Sequence, residues 1–427
     1  MTKYVSNALS AVSHIKTDHN VWVHSMAATP RVLLEALSEH ALEHQNISLY
    51  QLHLEHADCL TKAVDGGHLE LKAYFASHYN RHLIDAGVAD YIPISLSEIP
   101  RLFRSGQQKI DVAMIQVAPP DHHGICSLGI SVEATRAACE VADLVIAHIN
   151  PKMPRTHGDT FINLEDIDIA YEEATPISEH PTPELTETNE QIGRRVAEII
   201  EDGDCLQMGI GEIPDATLAC LTNHKDLGIH TEMFSDGVIP LYHSGVINNR
   251  RKQKHPGKLV TGFVVGSHNL YRFVDDNPEV VFCDIEYINS INTISGNHNV
   301  VSINSALQVD LSGQVCADSL GTHIYSGVGG QFDFVMGSSL SQNGRSILAF
   351  PSTAGGGKYS RIVPVLAPGS GVVTPRGSVD YIATEHGMVR LKGKSLRQRA
   401  KLLIHIAHPD FQEQLAREAY QYWKVSL

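Results

Sequence analysis

Asp204-Cys-Leu-Gln-Met-Gly-Ile-Gly-Glu-Ile-Pro214 repeats the plan of Asn20-Val-Trp-Val-His-Ser-Met-Ala-Ala-Thr-Pro30, and a slide of 184 residues carries Pro30 onto Pro214. Each copy runs from a short apolar strand through a turn of small residues into a proline and a helix. The helices that follow are read from Leu33, Leu34 and Leu37 in one copy and from Leu218 and Leu221 in the other. A helix also precedes each strand. Residues 4–16 place Val5, Leu9, Val12 and Ile15 at helical spacing, and Ile192, Val196, Ile199 and Ile200 do the same in the second copy. Thr188 and Gln191 stand at the spacing of a capping box there. A repeated unit of helix, strand, turn and helix predicts two similar α/β halves.

Further apolar runs, Val112-Ala-Met-Ile-Gln-Val117 and Leu144-Val-Ile-Ala-His148, have the length and composition of buried strands in largely parallel sheets. The stretch 172–190 gathers Pro176, Pro181 and Pro183 among acidic and hydroxyl residues, as a linker does. The expected domains are therefore 1–180 and 181–427. A chain of 427 residues is long enough for two cores.

The halves differ where chemistry would sit. The first turn is Ser25-Met-Ala-Ala28, whereas the second is Gly209-Ile-Gly211. Glycine lets backbone approach a ligand closely, and a turn leading into a helix offers free amides to an anion. The second half continues into Ile229-His-Thr-Glu-Met-Phe-Ser-Asp-Gly237, with Glu232 after a strand; the matching position in the first half is Ser48. Downstream lie an asparagine-rich stretch (Asn292, Asn297, Asn299, Asn304), Gly327-Val-Gly-Gly-Gln-Phe-Asp-Phe334 and Ala354-Gly-Gly-Gly-Lys-Tyr-Ser-Arg361. Three such segments suggest a shared ligand groove.

Composition excludes several classes. With 33 basic and 48 acidic side chains the formal charge is −15, which repels polyanions and argues against nucleic acid as a partner. Cysteines 59, 126, 139, 205, 220, 283 and 316 are scattered and never form C-x-x-C, the pattern of reduced thiols. No apolar run reaches membrane-spanning length and the N-terminus lacks a signal-peptide pattern, so the expectation is a cytoplasmic protein with no membrane partner. His53-Leu-Glu-His56 is not H-E-x-x-H, and no metal site is expected. The Gly-Gly-Gly-Lys358 run lacks the P-loop frame, Pro214 breaks the dinucleotide fingerprint, and no G-x-S-x-G elbow occurs.

Taken together, these segments resemble the acetyl-CoA hydrolase/transferase family, nearly from end to end. In the first half the resemblance rests on Ala89-Asp-Tyr-Ile-Pro-Ile-Ser-Leu-Ser-Glu-Ile-Pro100, Asp111-Val-Ala-Met-Ile-Gln-Val-Ala-Pro-Pro-Asp121, Gly124 to Gly129 and Met153-Pro-Arg-Thr156. In the second it rests on Gly209 to Pro214, His230-Thr-Glu-Met233, Ser235-Asp-Gly237, Gly327 to Phe334, Ser360-Arg-Ile-Val-Pro364, Thr374-Pro-Arg376, Thr384-Glu-His-Gly387 and Ile406-Ala-His-Pro-Asp410.

The resemblance implies two CoA-transferase-type α/β domains and a CoA-transferase that works through a glutamyl-CoA thioester. Acetyl-CoA would be one substrate and a short-chain acid, 4-hydroxybutyrate or butyrate, the other; acetyl-CoA hydrolysis by the same glutamate is the alternative. It nominates Glu232 as nucleophile, with Asn289 and the Gly330 amide as oxyanion donors. Gln207, Met208, Gly209, Ile210, Gly211, Leu307, Gly330 and Lys358 would contact coenzyme A. No permanently bound cofactor is implied, and a homodimer or higher homo-oligomer is expected. Gln308 departs from the family pattern, where an acidic residue is expected. Lys358, Arg361 and Arg376 are candidates for local positive charge near the coenzyme A phosphates.

Overall fold

The computed structural model describes residues 1–180, 184–209 and 211–426. Pro181 and Pro183 of the expected linker, and Ile210 of the glycine turn, lie outside the described residues. The chain forms two compact units, Met1–Pro181 with Val260–Ile288, and Thr182–Leu259 with Asn289–Leu427. The return of Val260–Ile288 to the first unit is a feature that a linear division into 1–180 and 181–427 does not contain.

The first unit is built on strands β1 (Lys3–Tyr4), β2 (Asn20–Val23), β3 (Ile47–Gln51), β4 (Leu69–Ala73), β5 (Ala89–Tyr91), β6 (Val112–Val117), β7 (Leu144–Ile149) and β8 (Ile169–Glu172). Their order across the sheet is β1-β8-β7-β6-β2-β3-β4-β5, and every pairing is parallel. All six residues of β6 are buried, as a central strand covered on both faces requires. Helix α1 spans only Ala8–Val12, shorter than the 4–16 helix expected from spacing. Asn7 caps it by accepting from the Ser10 amide, Lys3–Tyr4 is drawn into the sheet edge beside β8, and Leu9 is exposed. Helix α2 (Arg31–His40) buries Leu33, Leu34 and Leu37 as the periodicity predicts.

What recruits Val260–Ile288 is pairing at long range. Val280–Phe282 lies parallel to His157–Gly158, and a Cβ on Gly158 would sit 2.1 Å from the Phe282 carbonyl oxygen, so only glycine fits. Arg104 then reaches Asp284 at 2.7 Å, Glu286 at 2.8 Å and Glu140 at 2.9 Å.

The second unit contains α3 (Glu187–Ala197), β9 (Cys205–Met208), α4 (Glu212–Ala219), β10 (Gly228–Ile229), β11 (Val300–Asn304), α5 (Gln331–Leu340), β12 (Arg345–Ala349), β13 (Tyr381–Thr384), β14 (Gly387–Arg390), α6 (Leu396–His405) and α7 (Pro409–Trp423). Thr186, accepting from the Asn189 amide, caps α3; the Thr188/Gln191 box expected from the sequence lies inside the helix. The sheet order is β10-β9-β11-β12-β13-β14, parallel except for the β13–β14 hairpin.

The repeat is thus visible as topology. The run β8-β7-β6-β2-β3 in the first sheet has the same order and direction as β13-β12-β11-β9-β10 in the second. The α/β class with largely parallel sheets holds for both units. Among the described residues no helix is long and apolar enough to cross a membrane.

Candidate active site

In the second sheet β9 is the strand from which the chain departs to both sides, with β10 on one flank and β11 on the other. Such a switch point leaves a crevice at the carboxyl ends of the strands. The glycine turn occupies that end of β9. Gly211 begins α4 with φ +124°, a conformation that favours glycine, and Gly209 donates to the Ile303 carbonyl at 3.0 Å. Gln207 and Asn304, at the ends of β9 and β11, exchange amide hydrogen bonds of 3.2 and 2.9 Å. This pair of amides, Gln207 buried and Asn304 half-buried, ties the two strand ends together.

The segment after β10 is pinned to the same place. Thr231 Oγ1 lies 3.3 Å from the Met208 amide and 2.8 Å from the Met233 carbonyl oxygen. Ser235 donates to Asp215 of α4 at 2.6 Å. Glu232 is therefore presented on a backbone fixed from both sides.

Around its carboxylate three groups converge. Asn289 Nδ2 donates to Glu232 Oε2 at 3.0 Å, and the Gly330 amide also donates to this carboxylate. Gly330 caps α5 at its N-terminus, where free amides and the helix dipole favour an anion. A Cβ on Gly330 would lie 1.9 Å from Glu232 Oε2 and 2.2 Å from Asn289 Nδ2, so the contact exists only because the residue is glycine. Burial pushes the Glu232 carboxyl up to about 7, and the nearby charge of Asp333 acts in the same direction, against the pull of the Asn289 and Gly330 hydrogen bonds. A carboxylate so placed is more basic, and hence more nucleophilic, than one in water, and it keeps two N–H donors against it.

A separate groove of about 430 Å³ in this unit is lined by Leu307, Gln308, Lys358, Tyr359, Arg361 and Phe411, among others. Lys358 follows Gly355, Gly356 and Gly357, all at positive φ, on the tip of a hairpin that pairs Thr353–Ala354 with Tyr359–Ser360. Arg361 donates to the Ala306 carbonyl at 3.1 Å while its Nε is buried without a hydrogen-bond partner. Arg376 does not line this groove; it donates to Gln314 at 2.7 Å.

Residues 1–182 match the acetyl-CoA hydrolase/transferase N-terminal domain, and residues 266–419 match the C-terminal domain of the same name. Over 411 residues, 96% of either chain, the sequence is 46% identical to the 4-hydroxybutyrate coenzyme A transferase of Clostridium kluyveri. It is 44% identical to the succinyl-CoA:acetate/propanoyl-CoA:succinate CoA transferase of Fasciola hepatica, over 99% of this chain and 89% of that one. The crystal structure of RipA from Yersinia pestis superposes with a TM-score of 0.93 at 34% identity, covering 98% of this chain and 97% of that one.

The chain belongs to the acetyl-CoA hydrolase/transferase family. Its relatives place it among enzymes of the CoA-transferase type. Of the residues nominated from the family motifs, Glu232, Asn289 and Gly330 meet in one cluster, and Gln207 and Gly209 lie at the strand ends beside Asn304. Leu307 and Lys358 line the groove, which Glu232, Asn289 and Gly330 do not. Ser48, the first-half counterpart of Glu232, is on β3 with its hydroxyl 3.5 Å from Glu70 and belongs to no such cluster. Sequence reading quoted Thr231, Asn304 and Asp333 within their motifs but gave none of them a role of its own. Asp333 carried a legible sign, an acid three residues into a helix that begins after a glycine pair.

Proposed function

We propose that the protein moves coenzyme A between an acyl-CoA and a short-chain carboxylate through a thioester on Glu232. One observation carries the reading: a glutamate with a raised pKa is gripped at Oε2 by an asparagine amide, and a glycine N–H donates to the same carboxylate. The other oxygen, Oε1, attacks the acyl-CoA carbonyl; the C–S bond breaks, giving a mixed anhydride and the coenzyme A thiolate. The thiolate then attacks the Glu232 carbonyl carbon, and the C–Oε1 bond breaks. The first acid leaves as its carboxylate, carrying Oε1, and glutamyl-CoA remains. During that attack negative charge grows on Oε2, where Asn289 already donates while the Gly330 amide donates to the same carboxylate; such donors contribute on the order of 10²–10³ in rate each. An incoming carboxylate reverses the sequence and leaves one of its own oxygens on Glu232.

That exchange is the test. Incubated with acetyl-CoA, the enzyme is expected to gain a thioester on Glu232 that borohydride reduces with loss of activity. Turnover with an ¹⁸O-labelled acceptor acid should deposit one labelled oxygen in the peptide holding Glu232. Free thiol accumulating without an acceptor acid, with oxygen from H₂¹⁸O entering Glu232 and then the released acid, would support hydrolysis by the same glutamate instead.

The acid is proposed to be 4-hydroxybutyrate or butyrate, with acetyl-CoA as the partner, on the strength of one relative named for 4-hydroxybutyrate and another named for butyrate and acetyl-CoA. A panel of acceptor acids with acetyl-CoA measures this directly. The groove holding Leu307, Lys358 and Arg361 offers local positive charge to the coenzyme A phosphates in a chain of net −15. Lys358 is exposed, so Lys358→Ala is expected to raise KM for acyl-CoA about 5-fold, the equivalent of ~1 kcal/mol, with kcat unchanged.

A further inference from the structure

The first turn of α5 carries a second carboxylate beside the nucleophile. Asp333 is only 6% exposed, and its Oδ2 lies 3.5 Å from Asn289 Nδ2, the atom that donates to Glu232 Oε2 at 3.0 Å. One amide nitrogen therefore faces two carboxylates. The amide oxygen, Asn289 Oδ1, is buried with no hydrogen-bond partner among the described residues.

An asparagine side chain turned over exchanges its donor and acceptor ends. Turned over here, it would present oxygen to both carboxylates, and the donor that the chemistry needs on Oε2 would be lost. Glu232 cannot hold the amide in place through a whole cycle, because once acylated its Oε2 is a neutral carbonyl and a weaker acceptor. Asp333 is not consumed. It stands in the first turn of a ten-residue helix, where the dipole and free amides stabilise its negative charge. A negative charge beside a carboxyl group makes that group resist ionisation. Asp333 contributes to the raised Glu232 pKa in that direction. Another titratable group on these elements is His230, two residues before Glu232, whose ring centroid is 6.4 Å from that of Phe334; Asn289 and Gly330 are neutral.

We infer that Asp333 is a positioning residue for the nucleophile: it keeps the Asn289 amide nitrogen aimed at Glu232 in every state of the cycle, and its lasting negative charge favours the neutral acylated form of Glu232 over the free carboxylate. This rests on the glutamyl thioester reading.

The test uses the full-length enzyme carrying Asp333→Asn, with Asp333→Ser as a smaller second variant and Asp333→Glu as the charge-conserving one. For the two neutral variants the midpoint of the kcat/KM pH profile is expected to move down by about one unit, because Glu232 then ionises more easily. The fraction of enzyme present as glutamyl-CoA at fixed acetyl-CoA and acetate, read by intact mass, is expected to fall roughly tenfold. Asp333→Glu should restore the wild-type midpoint. Folded neutral variants with an unchanged midpoint and an unchanged adduct fraction would overturn the inference while leaving the thioester reading intact. Absence of the adduct in the wild-type enzyme would overturn both.

Discussion

Glu232→Gln is expected to lower CoA transfer on the order of 10⁴-fold or more, since the amide cannot form the anhydride and Asp333, the other carboxylate of the cluster, is buried against the Asn289 amide. Steady-state exchange between acetyl-CoA and a carboxylate measures it, and near-normal exchange would remove Glu232 from the chemistry. The same substitution should make the protein more stable at high pH. The folded carboxyl titrates at about 7, above its ordinary value of 4.5. Between those values the folded chain holds a proton that the unfolded chain has released, so stability falls as pH rises through that window. Glutamine carries no such penalty. The variant should gain roughly 2 kcal/mol over wild type at pH 8, an amount reduced from the full shift because the residue is partly exposed, and the gain should vanish towards pH 4. Denaturation at pH 4, 6 and 8 reads this. In wild type, kcat/KM should rise with pH to a plateau above about 7, as the attacking form is the carboxylate.

Gly330→Ala is expected to be the second most damaging change, and for a purely steric reason. Gly330 has φ −98°, which alanine adopts without strain, so the backbone does not exclude a side chain. The added Cβ would, however, fall 1.9 Å from Glu232 Oε2 and 2.2 Å from Asn289 Nδ2. Both atoms are at the ends of side chains that can swing away, so the fold should survive with little change in melting temperature. What cannot survive is the grip on Oε2. Loss of the two donors there predicts a fall in kcat on the order of 10²–10⁴. A measurement of kcat alongside the melting curve separates this from unfolding; a variant with normal kcat would show that the resting contacts have no part in the reaction.

Much of the fold was legible because it depends on local pattern. Apolar runs such as Val112–Val117 have few alternatives to a buried strand, and the strand-turn-helix unit is short enough to be compared copy against copy. Local pattern misled where a tertiary neighbour intervened. The spacing of Val5 to Ile15 promises a helix over 4–16, but Asn7 caps a shorter one and the sheet edge takes Lys3–Tyr4. The return of Val260–Ile288 to the first unit left no local sign, since it depends on Val280–Phe282 finding His157–Gly158 and on Arg104 finding Asp284 and Glu286.

The site divides in the same way. By itself, the sequence determined that the chain builds one α/β plan twice and equips only the second copy, with a glycine turn and Glu232, because those features are written in consecutive residues. Only the tertiary structure decided which groups surround that glutamate. Asn289 stands 57 residues from Glu232 and 44 from Asp333 along the chain, yet a single amide nitrogen faces both carboxylates. Hydrogen bonds and charge act over a few ångströms of space, and distances of that kind exist only once the sheet has brought its strand ends together.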